Sequence, residues 1–131
     1  MDIGLPLFTA AGVRAIDRAA IDRDGVPGYE LMTRAARAAL ALVLRRWPRA
    51  RRLHVACGPG NNGGDGYVFA RLAAAAGFEV RVFAPMPSAS SGADAATARA
   101  GWDATGAATS AESAALGRET DLIVDALFGI G

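Results

Sequence analysis

Lysine is absent: all 14 basic residues of the chain are arginine. A Schiff base or a lysine general base is thereby excluded. Cys57 is the single cysteine, so no internal disulfide can form, and a cytoplasmic setting is the simpler expectation. It closes an apolar run and reads as a small buried hydrophobe rather than a nucleophile. His54 is also the only one of its kind. It falls inside an expected strand, so a Ser-His-Asp triad or a zinc site would lack partners. An excess of either charge is missing too, the formal net being +1, which gives no footing for nucleic acid or a membrane surface. No basic-then-apolar leader opens the chain, and no run approaches a membrane span.

What is present suits one domain with a modest core: 131 residues, 52% of them hydrophobic. The Ala/Arg/Gly bias reads as genomic composition. "TAAGVRAIDRAAIDRDG" opens on Thr9, a good helix N-cap, and repeats Val13, Ile16, Ala20 and Ile21 at helical spacing until Gly25 and Pro27. "GYELMTRAARAALALVLRRWPRARR" predicts a second helix with an apolar stripe of Leu31, Ala35, Ala39, Leu42 and Val43. Arg45 and Arg46 complement its negative end and Trp47-Pro48 stops it. The arginines from Arg45 to Arg52 read as a solvated helix end rather than a binding patch. The apolar faces of the two leading helices suggest a homodimer.

Three strands are expected in "RLHVAC", "FEVRVF" and "DLIVDALF". Between the first two, "DGYVFARLAAAAG" predicts a helix with Val68, Leu72, Ala75 and Ala76 inward and Gly77 as its cap. "GADAATARAGWDATG" and "SAESAALG" predict two shorter helical pieces, and "APMPSASSG" an exposed loop. Two helices followed by β-α-β-α-β imply a parallel sheet, whose ligands bind at the carboxyl ends of the strands. The glycine-rich loop and "VDALFGIG" both fall on that edge and should face one crevice.

Gly58-Pro59-Gly60-Asn61-Asn62-Gly63 fits G-x-G-x-x-G between a strand and a helix, the pattern of a pyrophosphate site. That pattern also requires an acidic residue at the end of the second strand. Here the strand leaves through "VFAPMP", and Glu79 comes at its entry. A standard NAD site, and with it an oxidoreductase half-domain, is under-supported. The polar groups say more. Asn61, Asn62 and Asp65 offer amide and carboxylate groups, and bare glycines let a ligand approach main-chain N–H groups. Taken singly, the asparagines could serve a turn and Asp65 an N-cap; together they point to a site. Asp125, after an apolar run, reads either as a turn cap or as a cation ligand opposite Asn62. Potassium and magnesium both suit such oxygens, and the residues alone do not choose between them.

"GPGNNGGDGYVFARLAAAAGFEVRVF" with "DLIVDALFGIG" resembles the YjeF N-terminal domain of the NAD(P)H-hydrate epimerases. "AIDRAAI" and "YELMTRAARAAL" fit the same family's leading helices, so the resemblance runs from Leu7 to Gly131. It implies a Rossmann-like three-layer α/β/α sandwich that interconverts the R and S forms of NADHX and NADPHX, damaged forms of the reduced cofactors. By resemblance, Asn61, Asn62, Gly63, Gly64 and Asp65 line the substrate pocket and Gly129, Ile130 and Gly131 open a second substrate loop. Asn62 and Asp125 would hold potassium, and Asp65 would be the general acid/base. Ala35-Ala36 stands where relatives usually have Ala-Gly, and Ile130 replaces a small polar residue. Relatives continue past the position of Gly131 through an Asp-x-Pro-Ser-Gly motif, so residues 1–131 read as one such domain, incomplete at its C-terminus. Many bacterial relatives carry a dehydratase domain downstream, and the family's fold also occurs in non-catalytic scaffold proteins.

Overall fold

The computed structural model describes residues 4–87, 92–113 and 119–130. Among the described residues, four helices, α1 (Ala10–Asp22), α2 (Gly28–Arg46), α3 (Asn61–Ala75) and α4 (Ala93–Asp103), accompany four strands. These are β1 (Arg52–Cys57), β2 (Glu79–Phe83), β3 (Thr109–Ser110) and β4 (Leu122–Ala126). All pairings are parallel, in the order β3-β2-β1-β4. The order reverses at β1: the chain steps outward to β2 and β3, then returns to lay β4 on the other side. The result is the expected Rossmann-like α/β sandwich, with its switch point between the carboxyl ends of β1 and β4.

Central β1 has Leu53, His54, Val55, Ala56 and Cys57 all buried, as a strand paired on both sides should. Leu53, Val55 and Cys57 join Val82 and Val68 in the core. Helix α3 crosses β1, β2 and β4, and α2 and α4 pack along α3. On the alternate face of the sheet, Arg81, Ile123 and Asp125 are exposed. Trp102 of α4 is fully buried and its Nε1 donates to Thr109 Oγ1 at 3.0 Å, which ties α4 to the short outer strand.

Several sequence expectations shift. Helix α1 forms behind Thr9, whose Oγ1 accepts from Gly12 N at 3.1 Å, yet none of its residues is buried and Ile16 is 51% exposed. On α2 the buried residues are Met32, Thr33, Ala36 and Val43. Of the expected stripe, Val43 is buried and Leu31 half-buried, while Ala35, Ala39 and Leu42 are exposed. The helix is rich in Ala and Leu all round, so its contact with α3, rather than its own periodicity, selects the inner face. On α3, Val68 is buried and Leu72 half-buried, but Ala75 and Ala76 are exposed, being in the last turn beyond the sheet. Gly77 takes φ +95°, a conformation that favours glycine, and lets Phe78 N bond back to Ala73 O at 3.1 Å. β3 lies outside the three expected strands; two residues carry no periodicity. The last four residues of "SAESAALG", 114–117, and residues 88–91 of the Pro/Ser loop lie outside the described residues.

Candidate active site

At the switch point the last rung of the ladder pairs Cys57 with Ala126, and Gly58 N then donates to Ala126 O at 2.9 Å. The two polar loops therefore leave from adjoining strand ends, as the sequence led one to expect. They touch main chain to main chain. A Cβ on Gly58 would fall on the carbonyl oxygen of Leu127, and one on Gly63 on the carbonyl oxygen of Gly58. A Cβ on Gly64 would come 2.7 Å from the Met32 methyl, and one on Gly66 2.7 Å from the Ala126 methyl. Only Gly60 of the loop's five glycines has open space beside it among the described residues. At the other four positions the protein itself, rather than a ligand, fills the space beside the bare backbone. The bare backbone seats α3 hard against the strand ends.

Seated this way, α3 begins at Asn61, four residues before the expected start at Asp65. Gly60 is the N-cap, so Asp65 is not one. The first helical bond runs from Gly64 N to Gly60 O at 3.1 Å. The N–H groups of Asn61, Asn62 and Gly63 precede it and form the positive end of the helix. Gly63 and Gly64 are buried in this first turn.

Asn61 and Asp65 stand one turn apart on a single face of α3. They line a cavity of about 290 Å³ with Asp17 and Ile21 of α1, Leu31 and Met32 of α2, and Asp94 of α4. Burial first, and the Asp17 carboxylate second, push Asp65 up from 3.8 to about 6. A carboxyl group with that value exchanges a proton near neutrality. Asp17 and Asp94 were not singled out in the sequence, where nothing reveals that α1 and α4 lean toward α3.

Asn62 points elsewhere. Its Cβ lies 3.4 Å from the place a Gly129 Cβ would take, so it meets the second loop. Asp125 is exposed, and its Oδ1 accepts from Leu127 N at 3.0 Å, the turn cap that was one of its two readings. Strand alternation puts Asp125 on the sheet face opposite Ala126, which packs at Gly66 of α3. No hydrogen bond joins Asn62 to Asp125 among the described residues. Gly129 and Ile130 are exposed, and Arg14 Nη2 of α1 donates to Ile130 O. Gly131 lies outside the described residues.

Elsewhere the chemistry is quiet. Burial pushes the Cys57 thiol up to about 12, as a buried hydrophobe requires. No group of three or more His, Cys, Asp or Glu that could hold a metal occurs among the described residues. None of the described helices is long and apolar enough to cross a membrane. β2 ends at Phe83, with Ala84 and Pro85 next, and brings no carboxylate to the switch point. A larger cavity of about 530 Å³, lined by Arg46, Trp47, Arg49 and Asp121, lies at the amino ends of β1 and β4, away from both loops.

The family model for the N-terminus of YjeF-related proteins matches residues 28–131. The chain is 44% identical over 130 residues to the bifunctional NAD(P)H-hydrate repair enzyme Nnr of Escherichia coli K12, covering 95% of this chain and 24% of that protein. It is 36% identical over 132 residues to the NAD(P)H-hydrate epimerase of Rhodobacter capsulatus, covering 95% of this chain and 62% of that one. It thus spans about a quarter of the first relative's length and about three fifths of the second's. The crystal structure of yeast ynu0 superposes with a TM-score of 0.77 at 24% identity, over 96% of this chain and 58% of that one, which shows the shared fold. With the family model matching across α2, the glycine-rich loop, α3 and β4, the chain belongs to the YjeF N-terminal family.

Proposed function

We propose that the chain is the epimerase part of an NAD(P)H-hydrate repair protein, interconverting the R and S forms of NADHX and NADPHX in the cytoplasm. The observation that carries the reading is Asp65: a carboxyl group raised to about 6 that faces a cavity beside Asn61. The names of the relatives supply the substrate class. In the hydrated ring, the ring nitrogen donates its lone pair as the C–O bond breaks. Asp65 gives its proton to the departing oxygen, so that water leaves and a flat iminium remains. Water then adds to the opposite face and returns a proton to Asp65. Asn61, on the same face of α3, orients the ring or its hydroxyl. The unbonded N–H groups of the first turn of α3 suit the pyrophosphate, with Asn62 and the second loop at Gly129 and Ile130 beside it.

Potassium fits the donor chemistry in part. The amide oxygen of Asn62 and the Oδ2 of Asp125 are hard oxygens, while Asp125 Oδ1 is occupied by Leu127 N. Bound there, the ion would balance phosphate charge. A dehydratase partner downstream is suggested by the bifunctional relative, and self-association by the exposed apolar residues of α1.

The test is chiral chromatography of NADHX incubated with the protein. Wild type should equilibrate the R and S forms without redox turnover. Asp65→Asn should slow this by about 10²–10⁴-fold while substrate still binds. An undiminished rate in that variant would remove Asp65 from the mechanism.

A further inference from the structure

Helix α1 contributes Asp17 and Ile21 to the cavity of Asn61 and Asp65. Asp17 makes no ion pair or hydrogen bond among the described residues, although α1 carries Arg14 and Arg18 close by in sequence. Arg14 is turned to the Ile130 carbonyl instead. An acid left without a counter-charge, beside a second acid in a shared hollow, raises the free energy of the ionised pair. Nothing in the packing of α1 requires it, since the helix buries no residue.

We propose that Asp17 is a positioning residue for the reaction, its negative charge across the hollow holding the proton on Asp65. This rests on the epimerase reading for its consequence on rate, though not for the coupling itself. The other groups facing Asp65 do not share the task. α2 offers only the uncharged Gly28, Leu31, Met32 and Ala35. Asp94 of α4 is turned onto Gly28, with its Oδ2 where a Gly28 Cβ would sit, at the amino end of α2, whose dipole already balances an acid. In agreement, burial is the first cause and Asp17 the second of the raised affinity of Asp65 for its proton, and Asp94 does not contribute.

The experiment is an NMR titration of the Asp65 side-chain carboxyl in wild type, Asp17→Asn and Asp17→Glu, without substrate. Asp17→Asn should lower the midpoint by about half a pH unit, the size of one screened charge across a partly solvated hollow. Asp17→Glu, which keeps the charge, should restore it; a role in folding alone would move neither. Asp94→Asn should leave the midpoint in place. In the epimerisation assay, the fall in kcat/KM on the alkaline side should move to lower pH in Asp17→Asn by the same amount. An unchanged midpoint in Asp17→Asn, or a Glu variant that behaves like Asn, overturns the proposal. A midpoint that moves while the rate profile stays fixed supports the coupling and overturns instead the catalytic role of Asp65.

Discussion

Asp121 enters the sheet at the amino end of β4, and Asp65 stands on α3 at the opposite, carboxyl end. Asp121 Oδ2 accepts from Arg51 N and Arg52 N, each at 2.8 Å, and its Oδ1 pairs with Arg52 Nη2 at 3.1 Å. The backbone bonds, aided by the Arg52 guanidinium, hold it down at about 2. Asp65 is half-buried and faces another acid, so it is held up at about 6. One carboxylate locks two strands together and stays ionised. The other is left near the pH at which a proton can come and go. The difference comes from placement: one end of the sheet offers donors in fixed positions, and the other offers a hollow.

Ways to break this comparison differ in size. Removing the proton carrier is the largest: Asp65→Asn should cost about 10²–10⁴-fold in epimerisation rate, read by chiral chromatography. Next comes the seat of α3. Gly58→Ala forces a methyl onto the Leu127 carbonyl oxygen. It should destabilise the fold by about 3 kcal/mol, near the upper range for overpacking. Gly60→Ala, with φ −101° and open space, should change stability by less than about 0.5 kcal/mol, both variants being read by urea titration.

Asp65→Asn also has a stability arm. Asp65 binds its proton more tightly folded than unfolded, so its contribution is full below about pH 4 and is lost as pH rises through about 6. The Asn variant should therefore be more stable than wild type at pH 7 by about 1 kcal/mol, after discounting for solvent screening, and no different below pH 4. Asp121 has the opposite sign. Its contribution is present above about pH 4 and fades as pH falls toward 2, and Asp121→Asn should flatten that acid limb in thermal melts. This effect is small, because the group is exposed to solvent.

The same two ends differ in how far sequence reveals them. The three longer strands, the loop between β1 and α3 and the meeting of both polar loops at one edge follow from apolar runs punctuated by glycine. β3 was invisible because two residues carry no pattern. The inner face of α2 was misplaced because alanine and leucine surround that helix, and contact with α3 decides between them. The glycines of the loop suggested ligand access, whereas their neighbours are Leu127, Met32 and Ala126, distant in sequence and therefore hidden. Asn61 and Asp65 stand out by the chemistry of the loop and by the family resemblance; their common face follows only once α3 is known to begin at Asn61. Asp17 gave no signal, since an acid on an exposed helix looks like any solvated residue.

The most direct measurement records the side-chain carboxyl resonances of Asp65 and Asp121 in one pH series on the unmodified protein. Well-separated midpoints are expected, near 6 for Asp65 and near 2 for Asp121. If both titrate together near 4, the ordinary value for an aspartate, Asp65 is a solvated carboxylate and the acid role assigned to it fails.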